Sequence, residues 1–186
     1  MVYRRTERVE ERLQDKRDRI LQAVRKVVGE VGFRGAQVIM VAEAAGVATG
    51  TVYRYFPSKG ELFAEALALN AQHEVSVVAA VAEVEGSAGS RLADAVRVFA
   101  ERAVRARRLA WAMLAEPAEP EVDAARLIYR RAFAAVFEKL IRDGMRHGDF
   151  PAQDAAASST AISMRSGLRA IASIASTRFD ASPTGG

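Results

Sequence analysis

An all-α fold of about nine helices follows from three features of the chain. Apolar residues recur at helical spacing through most of its length. No segment alternates with the two-residue period of a strand. Glycine, proline and serine interrupt the periodic stretches where short connections are needed. Half of the 186 residues are apolar, enough to bury a core in one large or two small domains.

The elements are expected in this order. Residues 1–15 are charged and weakly periodic, a mobile arm or a fraying helical extension. A first helix spans 18–31, where Ile20, Leu21, Ala23, Val24, Val27, Val28 and Val31 form one apolar stripe. Gly32 closes it as a C-terminal cap, and Phe33 packs back on the core. A short helix over 38–45 ends at Gly46, a turn position that favours positive φ, with Val47 plugging the gap beyond it. A second short helix spans 49–55 and stops before Pro57. Ser58 and Glu61 have the spacing of a capping box, so a fourth helix starts there and runs to about Ala82. Residues 86–90, Gly-Ser-Ala-Gly-Ser, mark a flexible break. An amphipathic helix carrying Leu92, Ala95, Val96, Phe99 and Ala103 follows, then a short apolar piece over 107–115 that Pro117 and Pro120 terminate. A long helix spans 121–146 and ends at Gly148, a last helix spans 153–176, and the tail from 177 is expected to be disordered.

Composition removes several function classes. Cysteine is absent, which excludes disulfides and Cys-ligated metal and suits a reducing cytoplasm. His73 and His147 are too few and too far apart in sequence to suggest a metal site. No apolar run approaches the ~18 residues of a membrane span. A helical enzyme is disfavoured, since no His pairing or glutamate–histidine metal motif is present and Glu101 and Glu116 read as isolated acids. No catalytic residue or cofactor is assigned. Charge is unevenly placed: residues 1–60 carry twelve Lys/Arg against seven Asp/Glu, while 61–186 carry fifteen against sixteen. That excess suits phosphates, and equally suits a solvated face.

The two short helices and the turn at Gly46 form a helix-turn-helix. The second presents Thr49, Thr51 and Arg54, side chains that read base edges in a major groove, and Gly50, which lets the backbone approach closely. Tyr53 and Tyr55 offer hydroxyls to phosphates, as do the charge of Lys59 and the helix start at Ser58. Arg4, Arg5 and Arg8 are placed to reach a neighbouring groove or to lie in solvent. Alternatives stand beside these roles: Thr49 and Thr51 as caps, Tyr53 and Tyr55 as core-edge aromatics, Arg54 as a solvated charge.

Several residues at fixed spacing over 18–63 carry a family resemblance. They are Ile20-Leu21-x-Ala23, Gly32-Phe33, Val41-Ala42, Ala45-Gly46-Val47, Gly50-Thr51-Val52-Tyr53-x-Tyr55-Phe56 and Lys59-x-x-Leu62. The chain resembles the TetR family of transcriptional regulators. The resemblance implies a DNA-binding unit over 1–60, a larger helical domain over 61–177 that binds an effector and forms the dimer, and a tail over 178–186. It implies a homodimeric repressor, cytoplasmic, bound to a near-palindromic double-stranded operator and released by a small molecule of unknown identity. Gln37 stands where the family usually has Thr or Ser to cap a helix and touch phosphate, and Ala48 where a capping Ser is common. Ile39 and Met40 replace polar residues, and Ser158–Arg169 is small and polar where the family has an apolar dimer helix.

For the effector pocket the candidates are Phe99, Arg102, Trp111, Met113, Tyr129 and Phe133, although aromatic and Met residues at helical spacing serve as core more often. Arg102 and Arg126 are read as solvated, with pairing to an acidic ligand as the alternative. The rival functional readings are a ligand-independent or low-specificity DNA-binding protein, and an interaction module whose helix-turn-helix no longer binds DNA.

Overall fold

The structure is a computed structural model and describes residues 2–163 and 165, with side chains from Val9 onward. Seven helices run in order: α1 (Val2–Gly35), α2 (Val38–Ala45), α3 (Thr49–Tyr55), α4 (Lys59–Ala82), α5 (Ala88–Arg105), α6 (Arg107–Leu114) and α7 (Pro120–His147). An eighth, α8, begins at residue 155 and is described to 163. The described residues thus hold eight helices and no strand, one helix short of the expected number. The distal half of the helix expected over 153–176, most of the segment Ser158–Arg169 and the tail lie outside the described residues.

The first fifteen residues do not form a separate arm. From Val2 they continue the helix of the 18–31 stripe, the second of the two alternatives the sequence left open. Gly32 interrupts α1 as expected, but with φ 78° and ψ 175°, not the left-handed helical geometry of an ordinary cap. That backbone region is almost exclusive to glycine. Gly46 has φ 67° and ψ 40°, and its N–H reaches the carbonyls of Ala42 and Glu43, so the turn between α2 and α3 is closed by the geometry glycine supplies.

Local signals decide the remaining boundaries. Ser58 Oγ accepts from the Glu61 N–H at 3.1 Å and starts α4; the return bond from the Glu61 side chain is not made among the described residues. Neither Gln37 nor Ala48 caps its helix through a side chain, and Thr49 is already inside α3 and not the cap. The break at 86–90 is shorter than expected. Ser87 caps α5 by accepting from the Ser90 N–H at 3.2 Å, and residues 88–90 form its first turn. Asp149 Oδ2 accepts from the Ala88 N–H at 2.7 Å, tying that turn to the chain beyond α7.

One core joins the N-terminal helices to the rest. Ile20, Val24 and Val28 of α1, Val41 of α2, Val52 of α3 and Phe56 are at most 2% exposed and pack with Leu62 and Phe63 of α4. Phe33 lies 5.7 Å from the Phe63 ring, centroid to centroid. Farther along, α4 packs on α5 and α7 around Val78, Ala95, Phe133, Phe137 and Leu140. Helix α4 therefore belongs to both halves, and no helix among the described residues is long and apolar enough to cross a membrane.

Two glycines of α1 should respond oppositely to alanine. Gly29 lies inside the helix with open space where a Cβ would stand, so Gly29→Ala should raise the unfolding free energy by up to ~1 kcal/mol. At Gly32 a Cβ would meet Glu116 Oε1 at 2.5 Å in a strained backbone, so Gly32→Ala should lower it by about 1–3 kcal/mol or more. Urea denaturation of the two variants checks both signs.

Candidate nucleic-acid interface and effector cavity

Helix α3 is seven residues long and anchors through Val52 on one side, leaving the other open. Gly50 and Arg54 are exposed, Tyr53 is 48% exposed, and Thr49, Thr51 and Tyr55 are half-buried. Gln37, at the start of α2, is exposed as well. Among the described residues Arg54 forms no ion pair. Tyr55 packs against the core with its ring 6.5 Å from Phe56, so its ring is structural whatever its hydroxyl does. Ile39 is 52% exposed beside Gln37, while the equally unexpected Met40 packs against the core. Lys59 lies at the start of α4 with its Nζ 5.2 Å from the Phe63 ring centre and 2.8 Å from Glu119 Oε1. Of the side chains predicted to face DNA, those of Gln37, Tyr53 and Arg54 are exposed and those of Thr49, Thr51, Tyr55 and Lys59 half-buried, and the cation expected to meet a phosphate already holds a carboxylate.

The second feature is a cavity between α4, α5, α6 and α7, which Arg25 of α1 also lines. Phe99, Arg102, Met113 and Tyr129 line it, together with Asn70 and Glu74 of α4 and Leu109 and Leu114 of α6. Its volume is about 50 Å³, well below the ~300–1,000 Å³ of an occupied ligand site. Arg102 is a third exposed but not only solvated: its Nε and Nη2 donate to the two oxygens of Glu74 at 2.5 and 2.9 Å. This pairing raises the guanidinium pKa, so the arginine stays charged. Burial pushes the Tyr129 hydroxyl far above its ordinary value and keeps it protonated. Phe133 stands behind the cavity wall, edge-on to Phe99 at 4.8 Å and to Tyr129 at 4.7 Å, and is core. Trp111 is not at this cavity. It is 36% exposed in a surface groove with Val31, Gly32, Arg108 and Pro117, because α6 turns it toward α1.

The residues between α6 and α7 connect the two features. Glu116, which reads as an isolated acid in the sequence, is 8% exposed and accepts from the backbone N–H groups of Phe33 at 2.8 Å and Arg34 at 3.3 Å. It supplies the partner that the Gly32 turn takes away from those amides. Glu101 is not isolated either, since Arg97 donates to it at 3.1 Å. Arg126 is 6% exposed and not solvated. It donates to the carbonyls of Ala112 at 3.0 Å, Met113 at 2.8 Å and Glu116 at 2.8 Å. These are the orphan carbonyls at the end of α6 and beyond it, which favour a cation. Burial lowers the Arg126 pKa, though an arginine so supplied with acceptors remains protonated. Arg126 also pairs with Asp123 at helical spacing, but no spacing rule finds the carbonyls it holds or the amides Glu116 holds, because those come from distant or irregular segments.

Known proteins match this architecture. The pattern for bacterial regulatory proteins of the tetR family matches residues 20–66, from α1 into α4. The N-terminal unit of the chain is thus similar to bacterial regulatory proteins of the tetR family. The HTH-type transcriptional repressor KstR of Rhodococcus jostii is 48% identical over 54 residues, 29% of this chain and 26% of that protein. KstR of Mycobacterium tuberculosis is 45% identical over 53 residues, 28% of this chain and 24% of that one. The likeness to these relatives therefore spans about a quarter of their length. Over the fold as a whole, FadR of Bacillus subtilis, solved in complex with stearoyl-CoA, superimposes with a TM-score of 0.75. It shares 17% sequence identity and covers 86% of this chain and 88% of its own. E. coli NemR in its reduced form gives a TM-score of 0.71 at 14% identity, covering 88% and 89%. The family is one of regulatory proteins, not enzymes.

Glu116→Ala would leave the buried Phe33 N–H unpaired. It should cost about 1–3 kcal/mol of unfolding free energy. Hydrogen exchange should accelerate at Phe33 and Arg34 well beyond the amides of α2, which the substitution does not touch.

Proposed function

We propose that this chain is a DNA-binding transcriptional regulator, a homodimeric repressor acting on cytoplasmic DNA and released from a near-palindromic operator by a small molecule. The observation that carries this reading is the open face of α3. A helix short enough to seat in a major groove presents Gly50, Thr51, Tyr53 and Arg54 outward, while Val52 and Phe56 fix it to a filled core. In this reading Arg54 bonds a guanine edge, Thr49 and Thr51 contact bases or thymine methyls, and Gln37, Tyr53, Tyr55 and Lys59 hold phosphates. Partial sequence likeness to the KstR repressors supports the DNA-binding part.

The effector part rests on the cavity. Phe99, Met113, Leu109 and Leu114 give it apolar walls, and the Arg102–Glu74 pair gives it polar groups that a ligand can exchange. That a FadR of the same fold holds stearoyl-CoA supports an effector role for this domain. At about 50 Å³ the cavity is small, so a ligand must move one of its walls, and α6, which packs on α1 and α5, is one of them. A ligand that binds only the displaced arrangement draws the population toward it. Because α6 runs into the segment that holds α1 through Glu116, this displacement reaches the DNA-binding unit.

The test is selection of bound duplexes from a random pool at two salt concentrations. An inverted repeat is expected. Salt-sensitive binding without a motif would replace this reading by low-specificity association, and no binding at either salt would overturn it. On the selected operator, Arg54→Ala should weaken binding about ten- to hundredfold and relax preference at one base position. Gly50→Ala should separate fold from function. A Cβ there meets nothing within the chain, so stability should hold or rise, while closely approaching DNA meets the added methyl and affinity falls.

A further inference from the structure

Two acids at the start of α7 sit on the end of α4 that the proposed function assigns to a DNA phosphate. Glu119, the residue before Pro120, places Oε1 2.8 Å from Lys59 Nζ, and the two side chains are 29% and 35% exposed. The Glu121 carboxylate lies so close to Gly60 that a Cβ at that position would collide with it. Helix N-termini favour carboxylates as they favour phosphates, through the same free N–H groups and the same dipole. Glu119 makes no side-chain cap to its own helix, so its contact with Lys59 is its polar role among the described residues.

The connection to the cavity is short and stiff. Met113 and Leu114 form cavity wall, Glu116 holds the amides of Phe33 and Arg34, and Glu119 holds Lys59. Pro117, within this stretch, and Pro120, next after it, have fixed φ. A displacement of α6 is therefore delivered to Lys59 within a few residues. The ion pair is partly exposed, so it is weak enough for a phosphate to replace.

We propose that Glu119 is an internal stand-in for a DNA phosphate: it occupies Lys59 in the free protein, gives it up when duplex binds, and so lets the effector domain set operator affinity. This rests on the DNA-binding reading above. A segment that presses Glu119 onto Lys59 weakens binding, and one that withdraws it strengthens binding.

The experiment is operator binding by wild type, Glu119→Gln, Lys59→Ala and the double variant across a salt series, with thermal unfolding to show that each is folded. Glutamine keeps the shape and removes the charge. Glu119→Gln is expected to bind about three- to tenfold more tightly at low salt. Its log affinity should fall more steeply with log salt, by up to ~0.9, since Lys59 then releases a counterion in full. The gain should vanish in the Lys59→Ala background. Equal affinity and equal slope for wild type and Glu119→Gln would overturn the proposal while leaving the DNA-binding reading intact. So would a gain that persists without Lys59, which would mean general repulsion of DNA by Glu119. If neither protein binds the selected or a random duplex at any salt, the DNA-binding reading falls and this proposal falls with it.

Discussion

The Gly32 turn and its occupant, Glu116, hold the molecule in register. Once α1 breaks at φ 78°, the amides of Phe33 and Arg34 lose the helical carbonyls that would have taken them. Phe33 is 2% exposed, so water cannot serve instead. A buried carboxylate answers this need and has a need of its own, since a charge out of water must be matched by donors. Each requirement is met only by the other, and the residues lie 83 positions apart. The Glu116 backbone carbonyl is in turn gripped by Arg126 from α7. One chain of polar contacts thereby fixes α7, the end of α6 and the end of α1, all three converging on the entrance to the helix-turn-helix.

That arrangement explains why parts of the molecule were legible in the sequence and others were not. The helix-turn-helix is built from local chemistry. Gly46 supplies a positive φ, Ser58 a cap and Pro57 a stop, and each acts on neighbours within about four residues, so boundaries at 38–45 and 49–55 could be placed from sequence. The stripes of α1 and α7 are likewise set by periodicity. The polar partners are not local. Arg102 meets Glu74 across 28 residues and Arg126 meets carbonyls at the end of another helix, so both read as solvated charges when only their own helices are considered. Trp111 was misplaced for a related reason. Which face of a two-turn helix looks inward depends on what it is docked against, and α6 is docked by Glu116 and Arg126, neither of which the apolar pattern reveals.

Charge shows the same difference between composition and structure. Counting Lys and Arg over the first sixty residues gives a strongly basic unit, yet two of those cations are neutralised from outside it. Arg17 pairs with Glu65 and stacks over Phe56 at 5.0 Å, which makes it a strut between α1 and α4. Lys59 pairs with Glu119. The field near the α3 face is therefore set less by the excess of basic residues than by which of them lack a partner. Arg54 stands at the exposed surface with no ion-pair partner among the described residues, whereas Lys59 must first be released by Glu119.

The small cavity and the intact polar chain are two aspects of one packing state. Met113 and Leu114 can leave the cavity wall only if α6 shifts, and α6 is held at its end by the carbonyl bonds to Arg126 and by the amides that Glu116 accepts. Interiors packed to crystal density do not deform smoothly, so such a shift is a step between arrangements and not a gradual yielding. Breaking the contacts outright would cost more than a small ligand readily returns, because it would strand a buried guanidinium and a buried carboxylate together. An opened state that keeps these contacts must instead carry α1 and the α6 terminus along as a unit. In the proposed mechanism the strength of the polar chain is then what transmits motion: a stiff link moves its far end, whereas a weak one would let the cavity open with the helix-turn-helix left in place.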